Sequence, residues 1–158
     1  MNTERRAELR AAFLGTSYGT QRERFGLRDG PMGAAPPSWA LGGESWAIVT
    51  AWNPEAQQRD RAANEADQRR LEARVLQSGR IFLRGVNGEG EWAEPSLIVP
   101  GASWEQARDW AAEFGQAAAL WGEGARAELV WPETGGPAPE DRCWTLPLRP
   151  APGRPDRV

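Results

Sequence analysis

The chain has 158 residues and a net charge of −3, with 19 basic and 22 acidic residues, one cysteine and no histidine. All of its basic residues are arginine, so lysine is absent as well. These absences exclude a Ser-His-Asp triad, histidine metal ligands, lysine Schiff bases and a P-loop lysine. General acid or base chemistry would have to use carboxylates, Tyr18 or Cys143.

The length suits one domain, and no apolar stretch is long enough for a membrane helix. Residues 1–10 carry acidic side chains and lead into no apolar core, so we expect no signal peptide. The lone cysteine fits a reducing compartment, and we predict a cytoplasmic protein without a membrane partner. A mildly negative net charge also argues against binding to a nucleic-acid backbone.

The first half of the chain predicts two helices around one central strand. The first helix covers residues 3–14, where Thr3 supplies a cap and the apolar spacing gives one buried face. Residues 16–28 predict an irregular extended segment, either a strand or a hairpin. Residues 46–52 predict a central strand, because a nearly continuous apolar run is typical of a strand covered on both faces. A long helix is predicted over residues 56–78.

The second half predicts two hairpins separated by a helix. Residues 80–86 and 94–100 flank a Gly-rich turn and pair as the first hairpin. A capping box at Ser103 starts the third helix. Residues 117–121 and 126–131 flank a second Gly-containing turn and predict the second hairpin.

This order of elements predicts an α+β fold, with a mostly antiparallel sheet of about five to six strands and three helices packed on it. We expect residues 1–131 to form a single globular domain. Seven prolines follow in residues 132–158, which predicts a Pro-rich, flexible tail that could carry a linear motif for a protein partner. Trp144, Leu146 and Leu148 alternate within this segment, so a short docked strand is the alternative.

Polar side chains stand at the ends of several predicted core elements. Asn53 follows the central strand, Asn64 lies on the apolar stripe of the long helix, and Glu94 opens a strand. A buried amide needs a hydrogen-bond partner, which is either loop backbone or a ligand. The sequence leaves both solutions open. The residues predicted to bind a ligand are Trp52, Asn53, Asn64, Glu94, Ser96 and Gln116.

These residues belong to short motifs whose order and spacing resemble a bacterial family known as domain of unknown function 3293. The motifs are TAWNP at residues 50–54, Asn64 in the long helix, EPS at residues 94–96 and FGQ at residues 114–116. The resemblance spans roughly residues 7–131. The chain departs from the family pattern after TAWNP, where further serines are usual, and in its longer Pro-rich tail. The resemblance implies a shared fold and motif set but no activity.

Amide-rich chemistry without a histidine base or a soft metal ligand favours a non-catalytic ligand-binding or protein-interaction module. Its partner would be an unknown small ligand or a protein, and we predict no cofactor and no metal site. The alternative is a carboxylate-dependent enzyme, with or without Mg²⁺, that acts on a nucleotide or another phosphorylated substrate. Glu94 would then be the catalytic residue. Because both interpretations fit the residues, the sequence leaves enzymatic activity undecided.

Overall fold

A computed structural model describes residues 1–148, and within that range the chain has three α-helices and eight strands. The helices are α1 (Thr3–Leu14), α2 (Arg61–Gln77) and α3 (Trp104–Glu113). The strands, in chain order, are β1 (Ser17–Gly19), β2 (Arg24–Arg28), β3 (Ser45–Val49), β4 (Leu83–Asn87), β5 (Glu94–Pro100), β6 (Ala119–Glu123), β7 (Arg126–Val130) and β8 (Arg142–Pro147). Among residues 1–148, no helix combines the length and apolarity that crossing a bilayer requires.

All eight strands form one antiparallel sheet in the order β1-β2-β8-β7-β6-β3-β5-β4. The sheet curls until its two edge strands approach each other, and the backbone N–H of Gly88 donates to the carbonyl of Ser17 at 2.8 Å. The guanidinium of Arg24 also donates to the carbonyls of Val86 (2.6 Å) and Gly88 (2.9 Å). The sheet is therefore a nearly closed barrel, with Arg24 bridging the gap between β1 and β4.

The α+β class and the three helices are confirmed, but the prediction of five to six strands is wrong. The predicted segment over residues 16–28 is a hairpin of two short strands, β1 and β2. The further strand, β8, lies in the Pro-rich segment and pairs with both β2 and β7. Its inward side chains, Cys143 and Thr145, are fully buried. The tail prediction is therefore corrected for residues 142–147, and residues 149–158 lie outside the described range.

Two helix starts also differ from the prediction. The cap of α1 is Asn2 rather than Thr3, because Asn2 Oδ1 accepts the backbone N–H of Arg5 at 2.7 Å. Helix α2 starts later than predicted, after its cap Asp60. Residues 54–56 instead form a short 3-10 turn that contains left-handed backbone, which an α-helix does not accommodate.

Two hydrophobic cores cover the two faces of the sheet. The outer core lies between the sheet and helices α2 and α3, with Leu71 and Trp110 among its members. The inner core fills the barrel and includes Trp46, Ile48 and Leu120. Leu9 of α1 belongs to this inner core, so α1 lies over the end of the barrel where β2 and β7 end and β8 begins. We call this end the barrel mouth.

Candidate functional site

The TAWNP segment leaves the sheet at the barrel mouth because β3 ends at Val49. The predicted strand over residues 46–52 therefore extends too far. The hydroxyl of Thr50 donates to the carbonyl of Pro95 at 2.7 Å and accepts the backbone N–H of Trp52 at 3.1 Å. These two bonds turn the chain away from the β3–β5 ladder and toward α2.

Asn64 on α2 holds the next residue of this segment, Asn53. The Oδ1 atom of Asn64 accepts the backbone N–H of Asn53 at 2.9 Å, and its Nδ2 donates to Asn53 Oδ1 at 2.8 Å. Asn53 has left-handed backbone, with φ of 46° and ψ of 65°. Asparagine adopts this conformation more readily than most residues do. The buried Asn64 thus fixes both the backbone and the side chain of Asn53.

Arg59 completes this network, although the sequence analysis did not identify it. Its Nε donates to Asn64 Oδ1 at 2.7 Å, and its Nη2 donates to Asp67 Oδ2 at 2.6 Å. The hydrogen bond from Arg59 lowers the pKa of Asp67, with a smaller contribution from Arg70. Asp67 lies one helical turn after Asn64 on α2, and this spacing was the available signal for a shared partner.

Glu94 is the last member of this hydrogen-bond network. Asn53 Nδ2 donates to Glu94 Oε1 at 3.0 Å, and no other hydrogen bond to this carboxylate comes from the residues that the structure describes. Burial raises the pKa of Glu94, and the hydrogen bond from Asn53 opposes that effect. The second carboxylate oxygen is therefore available to a ligand.

Gln116 approaches the same place from the end of α3. Its Nε2 donates to the carbonyls of Trp52 (3.2 Å) and Phe114 (3.4 Å). The neighbouring Gly115 has a φ of +68°, and a Cβ there would lie 3.1 Å from the Cβ of Pro54. The close approach of the two loops therefore favours glycine at this position.

Two adjoining cavities open at the barrel mouth. The outer cavity has a volume of about 580 Å³ and is lined by residues that include Trp52, Asn53, Arg59 and Asn64. The inner cavity has a volume of about 430 Å³ and reaches into the barrel. The residues that line both cavities are Leu9, Phe13, Ala56, Trp92, Glu94 and Gln116.

The structure thus brings together all but one of the predicted site residues. Ser96 is the exception: it is buried inside the barrel against Gly85 of β4 and lines neither cavity. Its hydroxyl has no hydrogen-bond partner within residues 1–148. The prediction that Ser96 contacts a ligand together with Glu94 is therefore not supported by this arrangement.

The loop over residues 53–56, at the end of the TAWNP motif, has a strained backbone. Asn53, Glu55 and Ala56 have φ angles of 46°, 57° and 59°, and they are the non-glycine residues with positive φ in the described part of the chain. Each such residue costs of the order of 1–2 kcal/mol when it is not glycine or asparagine. The loop is held by the bond from the N–H of Glu55 to the carbonyl of Gly115, at 2.8 Å. Ala56, in this loop, lines both cavities.

The other side chains considered for acid–base chemistry are occupied or inert. The hydroxyl of Tyr18 donates to the carbonyl of Phe13 at 2.8 Å, and burial raises its pKa far above the usual range. Burial also raises the pKa of Cys143 to about 12, so its thiol stays protonated. Within residues 1–148, no group of three or more His, Cys, Asp or Glu side chains is placed to hold a metal ion. Glu94 is the carboxyl group with a raised pKa that lines the two cavities.

The fold and the site define a small α+β protein with a nearly closed antiparallel barrel and a polar cavity at its mouth. The family model described as "Protein of unknown function (DUF3293)" matches residues 49–119 of the chain, and this match supports membership of that family. The matched range contains Asn53, Asn64, Glu94 and Gln116, and it lies outside α1. No curated protein and no solved structure matches the chain.

Proposed function

We propose that this chain is a binding module for a small organic ligand, which occupies the two cavities at the barrel mouth. The observation that carries the proposal is a joined space with volumes of about 580 and 430 Å³. Ligand sites in proteins have volumes of this order, with mostly apolar walls and a few converging polar groups. Here the walls include Leu9 and Phe13, and the converging polar groups are Glu94 and Gln116.

The amide network supports this proposal by giving the site a fixed shape before a ligand arrives. Asn53, Asn64 and Arg59 use their polar atoms on one another and on nearby backbone. They act as positioning residues that hold Glu94 and the loop that follows β3. A site whose polar groups are already oriented loses less conformational entropy on binding. The direct polar contacts to the ligand are then assigned to Glu94 and Gln116.

A carboxylate-dependent enzyme is a second candidate, and Glu94 is the observation that favours it. A carboxyl group in a cavity whose pKa is raised by burial is suited to general acid or base catalysis. The Mg²⁺-dependent version on a phosphorylated substrate has no further support from the described residues. A bacterial origin, a cytoplasmic location and the lack of nucleic-acid and membrane partners remain proposals from the sequence.

A blocking variant tests the binding proposal. Ala12 and Ala11 are exposed neighbours on α1, and Ala12 lines the inner cavity whereas Ala11 lines neither cavity. We expect Ala12→Trp to reduce binding of the neutral fluorescent probe N-phenyl-1-naphthylamine at least tenfold, and Ala11→Trp to leave it unchanged. Native mass spectrometry of the full chain, purified without denaturation, would identify a retained ligand. Failure of the wild-type chain to bind the probe, or equal binding by all three proteins, would overturn the proposal.

A further inference from the structure

The charged side chains that line the inner cavity are all acidic. Its charged lining residues are Glu89 and Glu94, and no arginine is among the residues that line it. The outer cavity does include Arg59 and Arg61, but both are engaged elsewhere. Arg59 donates to Asn64 and Asp67, and Arg61 donates to Glu65 at 2.8 Å on the helix surface.

Oxygen atoms that accept hydrogen bonds converge on the same space. Glu94 has one carboxylate oxygen without a partner from residues 1–148. Asn87 is its direct neighbour across the β4–β5 pair and also lines the inner cavity. The Oδ1 atom of Asn87 is buried and has no hydrogen-bond partner in the described chain. A ligand that donates hydrogen bonds would compensate for the burial of these oxygens.

Aromatic rings form a further part of the wall. Phe13, Tyr18 and Trp92 line the inner cavity, and Trp92 is 72% exposed at the barrel mouth. The face of an aromatic ring attracts a cation, and this attraction grows when water is excluded. Aliphatic side chains such as Ile48 and Leu120 complete the inner wall and offer contact only to an apolar group.

From this combination we infer that the ligand is an organic cation, namely a small protonated amine with an apolar body. Its ammonium group lies against the Glu94 carboxylate, and its apolar part enters the inner cavity beside Ile48 and Leu120. The inference rests on the proposed function and adds to it the charge and shape of the ligand.

Three probes of matched shape and different charge test this inference. They are 2-phenylethylamine, which is protonated at neutral pH, the neutral 2-phenylethanol and the anionic 3-phenylpropanoate. Isothermal titration calorimetry on the full chain should show the amine binding at least tenfold more tightly than either of the others. Glu94→Gln should reduce the affinity for the amine about tenfold and leave the alcohol unaffected. Glu105→Gln, which removes an exposed carboxylate on α3 that lines neither cavity, should change neither.

The possible failures are distinguishable. If the alcohol or the acid binds as tightly as the amine, the cation inference is overturned while the cavity remains a ligand site. If none of the three binds but N-phenyl-1-naphthylamine does, the inference is again overturned and the proposed function stands. If that neutral probe also fails to bind, both are overturned. Loss of amine binding in Glu105→Gln as well as Glu94→Gln would place the effect outside the cavity and contradict the role of Glu94.

Discussion

Asn64 contacts Asn53 at two points, through its side-chain oxygen to the backbone N–H and through its side-chain nitrogen to the side-chain oxygen. Helix α2 thereby fixes the conformation of the loop that leaves the central strand. Glu94 depends on this contact, because the remaining polar atom of the Asn53 side chain donates to its carboxylate. Helix α2, which packs on the outer face of the sheet, therefore fixes the positions of Asn53 and Glu94 at the barrel mouth.

The first prediction concerns Asn64→Ala. The substitution removes the acceptor of two half-buried groups, the N–H of Asn53 and the Nε of Arg59. We expect the free energy of unfolding to fall by about 2–3 kcal/mol, since each stranded group costs about 1–3 kcal/mol when buried and less when half-buried. Urea unfolding measures this change. Gln77→Ala, an exposed position on the same helix, is the control and should change stability by less than about 0.5 kcal/mol.

The second prediction concerns the pH dependence of Glu94→Gln. Because burial raises the folded-state pKa of Glu94, the folded protein binds this proton more tightly than the unfolded chain does. The resulting stabilisation is fully present below the unfolded-state pKa of about 4.3 and is lost as the pH rises through the folded-state pKa. Glutamine keeps an oxygen for Asn53 and carries no charge. We therefore expect the stability of the variant, relative to wild type, to increase as the pH rises across that interval.

Thermal unfolding at a series of pH values checks this expectation. Glu105→Gln serves as the comparison, because removal of this exposed carboxylate should leave the dependence of Tm on pH unchanged. If Tm depends on pH in the same way in Glu94→Gln and in wild type, the raised pKa of Glu94 is contradicted. The variant should be as stable as wild type or more stable at neutral pH while it loses affinity for amines, which separates a binding role from a folding role.

The third prediction uses the strained loop. Ala56 has a φ of 59°, where alanine is disfavoured by about 1–2 kcal/mol and glycine is not. After the greater entropy of glycine in the unfolded chain is subtracted, Ala56→Gly should stabilise the protein by about 0.5–1 kcal/mol. The same exchange at Ala66, exposed within α2, should destabilise it by about 1 kcal/mol. Effects of the same sign at both positions would contradict the left-handed conformation of Ala56.

The spacing of residues within a single helix or strand predicted those features of the site that depend on that element alone. The spacing of Asn64 from Leu71 and Val75 placed it on the buried side of a helix, because helical periodicity is a property of neighbouring residues. Strand geometry likewise puts Glu94 and Ser96, which are two residues apart in β5, on one face. It could not give their depth, and within a barrel that depth decides which of them reaches the cavity.

The remaining parts depend on contacts between residues far apart in the chain. Phe13 enters the cavity wall because α1 lies over the barrel mouth, and nothing in the sequence of α1 specifies which surface it covers. The position of β8 between β2 and β7 also follows from tertiary pairing. The high proline content of that segment indicated a tail, whereas the alternation around Trp144 was the weaker and correct signal.

The fourth prediction tests the role of β8 by truncation. A chain ending at residue 141 lacks β8, whereas a chain ending at residue 148 keeps every described strand. The hydroxyl of Thr145 donates to the carbonyls of Ala35 and Ala125, so the shorter chain also loses contacts beyond the ladder itself. We expect calorimetry to show a Tm lower by at least about 10 °C, or no cooperative transition, for the chain ending at residue 141. A Tm equal to that of the chain ending at residue 148 would restore the tail prediction.

The strand order has a consequence for how the protein is made. Strand β2 has two neighbours, β1 beside it in the sequence and β8, which is synthesised much later. The first hairpin therefore leaves the ribosome long before the strand that connects it to the rest of the sheet. Until then the edge of β2 that faces β8 has no partner strand, and an unpaired strand edge in a nascent chain promotes aggregation. The mouth of the barrel, where α1 meets the other strands, is accordingly assembled only after β8 has left the ribosome.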